Sequence, residues 1–460
     1  MKCLGATIMN VLLGLLLCGG VSVQAQSLAG EWHGTLVTPT VRLRIVMRLV
    51  QRPTGEFDGT VVSPDESPAT IPLSSVVIEE SRIRFSVPQI GAAFDGAIDS
   101  TRTTIDGTLT QQGVPMSLTL TRDEHSAIAA APHRPQTPQP PYPYREEFVS
   151  YPNPASGFTL GATLTLPPGQ GPFPAVLLVT GSGAQDRDET LFEHRPFLVL
   201  ADALTRRGIA VLRADDRGVG ASTGTFETAT TADFTTDAAA GIAYLRARSD
   251  VDTRHIGILG HSEGGVIAPS LASQDAGIAF VVMLAGPAVR GDEIIVQQVS
   301  ALARAQGAPD AIVTEASRQQ RQLLDLVMTA PENQRTSLVR SWLAGRVPDG
   351  QLEGQLSQLL SPWYRAFLAT DPATALRRLR VPVLAMYGGK DLQVTAAGNA
   401  GRARELLAGN PRAEVVEFPQ VNHLFQTAGS GLPLEYGQIE ETMAPAVIEK
   451  IVNWIQSAVQ

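Results

Sequence analysis

The chain has 460 residues, 43% hydrophobic and 18% charged, which excludes wholesale disorder and suggests about three structural units at ~150 residues per domain. Its formal net charge of −9 argues against a nucleic-acid-binding surface, because such surfaces concentrate lysine and arginine. Both cysteines, Cys3 and Cys18, lie within the first 25 residues, which excludes a disulfide scaffold or a cysteine-based zinc site in the rest of the chain.

Residues 1–25 have the features of a secretory signal peptide. A lysine at the second position is followed by an almost wholly apolar run at residues 8–17, and Ala25 ends a Val-Gln-Ala sequence typical of a signal-peptidase site. Cleavage there predicts a periplasmic or secreted mature chain without cysteine. Two alternatives stay open: lipidation at Cys18, and an uncleaved membrane anchor over residues 3–23.

Residues 27–122 predict a small all-β domain. Apolar residues alternate with polar ones over residues 41–49 and again over 82–87, which is the pattern of half-buried strands. An Asp-Gly pair recurs at residues 58–59, 95–96 and 106–107. This dipeptide favours the tight turns and bulges of antiparallel hairpins. We therefore expect a β meander, as a barrel or a sandwich, without a catalytic cluster.

Prolines crowd residues 123–146 and predict an extended, semi-rigid linker. Over residues 147–460 apolar strand-like runs alternate with helical ones, which predicts an α/β domain with a mainly parallel sheet. The predicted strands cover residues 174–180, 209–213, 256–259, 280–284, 381–386 and 413–418. Residues 287–371 carry only helical periodicity, so we expect a helical cap inserted between two strands.

The strongest chemical signal is the sequence Gly-His-Ser-Glu-Gly-Gly at residues 260–265, which matches the Gly-x-Ser-x-Gly nucleophile elbow. A predicted strand leads into it and a predicted helix leads out of it, as this elbow requires. The glycines that flank the serine two residues before and after it relieve the clashes of so sharp a turn, and the helix amides favour developing negative charge. Ser262 is the candidate nucleophile, and an ordinary glycine-rich turn is the alternative.

A serine nucleophile needs a base, and the base needs an orienting acid, in the chain order serine, acid, histidine for an elbow of this kind. Of the seven histidines only His423 follows Ser262, shortly after the last predicted strand. Asp391 lies on a glycine-rich loop after the preceding predicted strand. We predict that these three residues form a catalytic triad, with a turn-forming aspartate as the alternative reading of Asp391.

Two backbone amides should hold the oxyanion of an acyl-transfer reaction. One is expected to be the N–H of Glu263, which follows the nucleophile. The other should come from the loop after the first predicted strand, where Ser182 is the first choice and Gly181 or Gly183 are the alternatives. An ordinary strand-ending turn is the competing interpretation of that loop.

The charge run at residues 185–189 is expected to be ion-paired or solvated, with substrate contact as the alternative. The polar turn at residues 213–222 lacks the helix-opening context of a nucleotide-binding fingerprint and is expected to be structural. No spacing of histidine and aspartate suggests a metal site, and no cofactor is expected.

The sequence resembles the α/β-hydrolase superfamily, and more narrowly the secreted bacterial serine esterases grouped with the serine aminopeptidase (proline iminopeptidase-like) hydrolases. The residues that carry this resemblance are 181–183, 186–189, 216–222, 260–265, 388–391 and 422–423. The resemblance spans residues 147–460, implies an α/β-hydrolase fold, and matches the predicted triad position by position. It also implies that Trp363, beside Tyr364 at the end of the cap, faces the acyl pocket. Many such relatives begin the oxyanion loop with His-Gly, where this chain has Thr180 before its glycine.

These features predict a secreted or periplasmic carboxylesterase that acts on a small-molecule ester through an acyl-enzyme, without nucleic acid and without a transmembrane domain after signal removal. A serine peptidase or aminopeptidase of the same fold is the first alternative. It would need carboxylates at the substrate's α-ammonium, for which Glu263, Asp186, Asp188 and Glu189 are the candidates by sequence. A non-catalytic protein that binds lipid or polysaccharide is the second alternative.

Overall fold

The computed structural model describes residues 27–37, 42–65, 67–111, 114–123, 133–347 and 349–460. The predicted signal peptide, its cleavage site and the two alternatives at Cys18 and residues 3–23 lie outside the described residues. Within the described ranges, no helix combines the length and the apolar character that spanning a membrane requires.

The N-terminal domain is one rolled antiparallel sheet. Its described strands are β1 (Gly30–Val37), β2 (Arg42–Gln51), β3 (Phe57–Ser63), β4 (Ser67–Pro72), β5 (Ser74–Glu79), β6 (Arg82–Val87), β7 (Ala92–Ile98), β8 (Thr104–Gln111) and β9 (Val114–Thr121). They pair in the order β4-β3-β2-β1-β9-β8-β7-β6-β5. The two edge strands, β4 and β5, are separated only by Leu73, so the sheet must curl until its edges meet around buried Trp32, Met47 and Ile83. The all-β prediction is confirmed.

The predicted role of the Asp-Gly pairs is wrong. All three pairs lie inside strands β3, β7 and β8 rather than at turns. Gly96 and Gly107 face each other across β7 and β8. A Cβ on Gly96 would lie 2.6 Å from the Phe94 ring and one on Gly107 would lie 2.5 Å from it. Glycine is therefore required because the Phe94 ring lies against both positions in the core of the rolled sheet.

The C-terminal domain is built on an eight-stranded sheet. Its strands are β10 (Arg145–Asn153), β11 (Phe158–Leu166), β12 (Phe173–Val179), β13 (Ala210–Ala214), β14 (Val251–His261), β15 (Val281–Leu284), β16 (Val383–Gly388) and β17 (Ala413–Phe418), in the order β10-β11-β13-β12-β14-β15-β16-β17. From β13 onward the strands are parallel, whereas β11 is antiparallel to both of its neighbours. This arrangement is the α/β-hydrolase fold. Sequence analysis found its parallel strands and missed the β10–β11 hairpin.

Helices cover both faces of this sheet and form the cap. They are α1 (Pro196–Thr205), α2 (Thr231–Arg246), α3 (Gly264–Ala272), α4 (Gly291–Ala305), α5 (Asp310–Thr329), α6 (Glu332–Leu343), α7 (Asp349–Leu359), α8 (Pro362–Ala369), α9 (Ala373–Arg378), α10 (Ala396–Leu407) and α11 (Pro445–Ala458). Helices α4 to α8 lie between β15 and β16, where the sequence predicted an inserted cap. On α5, Leu323, Leu324 and Val327 are buried, so its apolar stripe packs inward.

The described end of the linker is docked on the hydrolase domain. The Arg134 guanidinium donates to the carbonyl oxygens of Phe192 and Gly437, both at 2.8 Å. The Gln136 side chain accepts from the N–H of Thr442 at 2.6 Å and donates to the carbonyl of Met443 at 2.8 Å. These contacts make residues 133–144 a fixed strap rather than a free spacer, and β10 begins within the predicted linker, at Arg145.

The β domain touches the hydrolase domain near the loops that follow β12. Arg44 on β2 forms an ion pair with Glu193, and the Phe192 ring packs against the core of the rolled sheet. A second contact joins the β domain to the cap, between Pro88 and Gly354 on α7. The two backbones are so close that a Cβ added to Gly354 would lie 2.2 Å from the carbonyl oxygen of Pro88.

Candidate active site

Ser262 lies on a sharp turn between β14 and α3. Its φ of +52° is in the left-handed region, which a residue other than glycine adopts only at a cost of about 1–3 kcal/mol. Two glycines make the turn fit: a Cβ on Gly260 would lie 1.9 Å from the Gly264 carbonyl oxygen, and one on Gly264 would lie 2.2 Å from the Val179 carbonyl oxygen. The Ser262 N–H donates to the Leu284 carbonyl oxygen at 2.8 Å, which ties the turn to β15.

His423 and Asp391 meet at the carboxyl ends of the neighbouring strands β16 and β17. The Nδ1 atom of His423 lies 2.8 Å from Oδ2 of Asp391, and both residues are buried. The other carboxylate oxygen, Oδ1, accepts from the backbone N–H of Gln393 at 2.7 Å and of Val394 at 2.9 Å. The carboxylate is therefore held by both oxygens, and it places the proton of neutral His423 on Nδ1. That tautomer leaves Nε2 as an acceptor, and Ser262 and His423 line the same cavity.

The predicted oxyanion loop follows β12, and one of its candidate donors is already engaged. The N–H of Gly181 donates to Oε1 of Glu189 at 2.7 Å. The prediction that Gly181 could serve as the oxyanion donor is therefore wrong, because its single N–H is occupied. Ser182 and Gly183 remain the candidate donors from this loop, and Ser182 lines the same cavity as Glu263 at the start of α3.

Thr180 anchors the start of this loop, where many relatives have histidine. Its hydroxyl donates to Oδ1 of Asp216 at 2.8 Å, and Oδ2 of the same carboxyl accepts from the Gln185 N–H at 2.9 Å. The Asp216 side chain thus holds Thr180 and Gln185, which lie on either side of the candidate oxyanion donors Ser182 and Gly183. Burial raises the pKa of the Asp216 carboxyl well above its usual range, although these two hydrogen bonds act in the opposite direction.

The charge run at residues 185–189 is ion-paired, as expected from the sequence. The Arg187 guanidinium binds Asp215 with an Nη2–Oδ2 distance of 2.5 Å, and Asp188 forms an ion pair with the buried guanidinium of Arg213. The turn at residues 213–222 is therefore structural. Within the run, only Gln185 and Glu189 line the cavity.

The cavity above Ser262 has a volume of about 310 Å³ and is roofed by the cap. Helix α4 contributes Ile294 and Ile295, and α8 contributes Trp363, Tyr364 and Phe367. Both predicted pocket residues, Trp363 and Tyr364, thus face the cavity that contains the candidate nucleophile. The roof that these cap residues supply is hydrocarbon and aromatic ring, which suits an apolar group of modest size. The rest of the wall is largely polar and includes Gln185 and Gln393 beside the candidate catalytic residues.

The Glu263 side chain joins this cavity wall to the cap. Its two carboxyl oxygens accept from the Trp363 indole N–H at 3.1 and 3.0 Å, and Oε1 also accepts from the Thr231 hydroxyl at 2.6 Å. Burial raises the pKa of the Glu263 carboxyl, and side-chain hydrogen bonds from Thr231, Ser182 and Trp363 offset that only in part. The carboxyl is thus a poorer partner for a cation than a solvated glutamate.

In a comparison with protein-family models, residues 156–408 match the family described as X-Pro dipeptidyl-peptidase (S15 family). The matched range is more than half of the 460-residue chain. The chain belongs to the S15 family. The resemblance to α/β-hydrolases that the sequence motifs indicated is thereby confirmed.

Among curated proteins, this S15-family chain is 28% identical over 300 residues to esterase EstD of Thermotoga maritima. The match covers 64% of this chain and 65% of EstD, so it spans just under two thirds of that relative. Solved structures with a similar fold include esterase Pf2001 of Pyrococcus furiosus, with a TM-score of 0.45 and 14% identity over 69% of this chain and 92% of that one. Est1E of Butyrivibrio proteoclasticus, solved with ferulic acid, has a TM-score of 0.41 and 17% identity over 68% of this chain and 99% of its own.

Sequence reasoning missed the role of two residues at this S15-family site. The sequence indicated Glu189 as part of a charge run and as a candidate carboxylate for a substrate ammonium group, and it indicated His261 as part of the elbow motif, but it did not indicate that the two interact. In the structure their side chains lie 2.9 Å apart, Nδ1 to Oε1, on the wall of the Ser262 cavity. The sequence contains one signal for this pair, which is that His261 directly precedes the nucleophile and has no role in the predicted triad. Its partner, Glu189, could not be found from the sequence because it lies 72 residues away along the chain.

Proposed function

We propose that this S15-family protein is a serine carboxylesterase that cleaves carboxylic esters through an acyl-enzyme intermediate. The observation that carries the proposal is one cavity that holds Ser262 on a strained elbow and His423, whose Nδ1 lies 2.8 Å from Asp391. The similarity to an esterase supports the same activity. Neither the triad nor the amides need a metal or cofactor, so a cofactor-free reaction stays our prediction.

The reaction follows from these positions. His423 Nε2 takes the proton of the Ser262 hydroxyl as its oxygen attacks the acyl carbon, and Asp391 stabilises the imidazolium that forms. The N–H of Glu263 and that of Ser182 or Gly183 hold the developing oxyanion. His423 then gives its proton to the leaving alcohol. Water, activated by the same histidine, releases the carboxylic acid and restores the serine.

The cavity supports an ester with a short or medium acyl chain. Ile294, Ile295 and Phe367 present hydrocarbon above the nucleophile, and about 310 Å³ of space accommodates a small molecule rather than a folded chain. The aromatic roof of Trp363 is fixed through its hydrogen bonds to Glu263. We propose small-molecule esters as the substrate class.

A serine peptidase is the second candidate function, because the matching family is described by an X-Pro dipeptidyl-peptidase activity. Such an enzyme must hold the substrate's ammonium group. Asp186 and Asp188 do not line the cavity in the described structure. Glu263 is engaged by neutral donors, burial raises its pKa, and Glu189 is engaged by His261. These features favour the ester over an aminoacyl substrate.

Substrate preference tests the two candidates directly. We expect kcat/KM for p-nitrophenyl butyrate to exceed that for alanine, proline or alanyl-proline p-nitroanilide by at least ~10²-fold, since both carboxylates among the described lining residues, Glu189 and Glu263, are already hydrogen-bonded. One preparation should be assayed with all four substrates, and Ser262→Ala should abolish every signal that belongs to this site. A larger kcat/KM for any of the anilides would replace the esterase with the peptidase.

We also propose that the protein is exported by its first 25 residues. Support comes from the apolar run at residues 8–17 and the Val-Gln-Ala sequence that ends at Ala25. Export with cleavage there predicts that the protein recovered from the periplasm or medium begins at Gln26. N-terminal sequencing or intact mass would instead reveal Met1 for an uncleaved anchor, or a lipid on Cys18 for a lipoprotein.

A further inference from the structure

Two ionisable side chains on the cavity wall have no part in the reaction as described. Glu189 is 5% exposed and lies on the loop that follows the oxyanion loop, with a φ of +54°. His261 is 6% exposed and is the last residue of β14, directly before Ser262. Burial of two ionisable groups is costly, so their retention at this position calls for a compensating interaction.

Their contacts connect three separate segments of the site. Oε1 of Glu189 accepts from the Gly181 N–H at 2.7 Å and lies 2.9 Å from His261 Nδ1. On the other side of the ring, His261 Nε2 lies 2.9 Å from the backbone carbonyl oxygen of His423. The oxyanion loop, the nucleophile elbow and the loop of the catalytic histidine are thus joined through one pair of side chains.

Beside an ionised Glu189, both ring nitrogens of His261 carry protons in these contacts. A backbone carbonyl only accepts, so Nε2 donates to His423. An ionised carboxylate also only accepts, so Nδ1 donates to Glu189. Burial lowers the pKa of His261, but the charge and hydrogen bond of Glu189 and the carbonyl of His423 outweigh it, so that its pKa is raised. A neutral imidazole, with one N–H, could serve only one of the two acceptors.

The packing around Gly181 leaves these groups little freedom. A Cβ at that position would lie 3.2 Å from Cβ of Ser262, 3.3 Å from Oε1 of Glu189 and 3.6 Å from Nδ1 of His261. The rings of His261 and His423 are also in contact, with centroids 4.8 Å apart. A displacement of the pair therefore moves the oxyanion loop or the catalytic histidine relative to the nucleophile.

We propose that Glu189 and His261 act as a positioning pair, which holds the oxyanion loop, Ser262 and His423 in the mutual geometry that acyl transfer requires. The inference rests on the proposed function, because it assigns the pair to that reaction. Neither residue attacks or protonates the substrate. Both act through the groups that they hold, and a shift of about 1 Å in such groups can lower a rate by ~10²-fold.

Glu189→Gln in the full chain tests the pair. Its amide oxygen still accepts from Gly181, but without the carboxylate charge His261 becomes neutral and loses one of its two hydrogen bonds. We expect kcat for p-nitrophenyl butyrate to fall by ~10–100-fold while KM stays within about 3-fold, since transition-state geometry is disturbed more than binding. Rates should be normalised to the protein that a fluorophosphonate labels.

Asp188→Asn is the matched control. Asp188 is the neighbouring residue, and it also pairs with a buried cation, Arg213, but it does not line the cavity. We expect its kcat to stay within about 3-fold of the wild type even where its melting temperature falls. Equal losses of kcat in the two variants would mean general loosening of the loop and would overturn the positioning role.

His261→Leu gives a second route if Glu189→Gln folds poorly. It removes both donors, so we expect a loss of kcat similar to that of Glu189→Gln, and the double variant should lose little more than either single one because both break the same unit. Additive losses in the double variant would contradict a joint role.

A readout independent of activity is the ¹⁵N NMR spectrum of histidine-labelled protein. In the wild type both ring nitrogens of His261 should be protonated at neutral pH, and in Glu189→Gln only one. A wild type that neither hydrolyses esters nor reacts with fluorophosphonate would defeat the proposed function. An active wild type whose Glu189→Gln variant keeps its kcat, or whose His261 is neutral, would defeat the positioning pair alone.

Discussion

Ser262→Ala should fold like the wild type and lose at least ~10³-fold in kcat for p-nitrophenyl butyrate, because the missing hydroxyl is the attacking atom. The backbone of the elbow should survive the change, since the Ser262 N–H still donates to Leu284 and the flanking glycines still allow the turn. The assay is steady-state hydrolysis together with fluorophosphonate labelling, which the variant should not undergo.

Ser270→Ala is the matched control for this variant. Ser270 lies on α3, about two helical turns beyond Ser262, and it is not among the residues that line the cavity. Its variant should keep wild-type labelling and a kcat within about 3-fold of the wild type. Hydrolysis by Ser262→Ala at near wild-type rate would remove Ser262 as the nucleophile.

Asp391→Asn should lose up to ~10⁴-fold in kcat, because the new amide forces the wrong tautomer on His423. The N–H groups of Gln393 and Val394 both donate to Oδ1 and require an acceptor there. The asparagine must therefore turn its NH₂ toward His423 Nδ1, which then accepts, so the proton moves to Nε2. A protonated Nε2 cannot take the proton of Ser262.

The measurement for Asp391→Asn is kcat together with the melting temperature, which should change little because the side chain keeps its size and its backbone partners. Asp371→Asn serves as control, since Asp371 is exposed and accepts from the Ala373 N–H in the same way at the start of α9. Retention of wild-type kcat by Asp391→Asn would show that another acid orients His423.

Local patterns were sufficient for the features whose physics is local. The elbow could be predicted because only glycine fits at Gly260 and Gly264, two residues before and after Ser262, and this restriction is visible in six consecutive residues. The parallel strands could be predicted because burial on both faces requires continuous apolar runs. The β10–β11 hairpin was missed because β10 is an edge strand that exposes Phe148 and contains Pro152, so its pattern is weak.

The Asp-Gly pairs are the opposite case. Asp-Gly pairs do favour turns when only the local sequence is considered. In this domain, packing in the core of the rolled sheet places them inside strands instead. Gly96 and Gly107 lie in mid-strand because the Phe94 ring lies against them, and only the closed sheet brings that ring and both glycines together. A dipeptide preference is worth little free energy compared with the burial of an aromatic ring.

The sequence by itself determined the candidate catalytic groups. They are Ser262 in an elbow motif, His423 as the single histidine after it in the chain, and Asp391 between them. Only the tertiary structure decided which amides are free and which acids are engaged. The N–H of Gly181 is not available to an oxyanion because it donates to Glu189, eight residues away. His261 contacts the backbone carbonyl of His423, which is 162 residues away in the chain. The physical reason is that a hydrogen bond uses up its donor, and the partner that uses it is chosen by how distant segments pack rather than by neighbours in the chain.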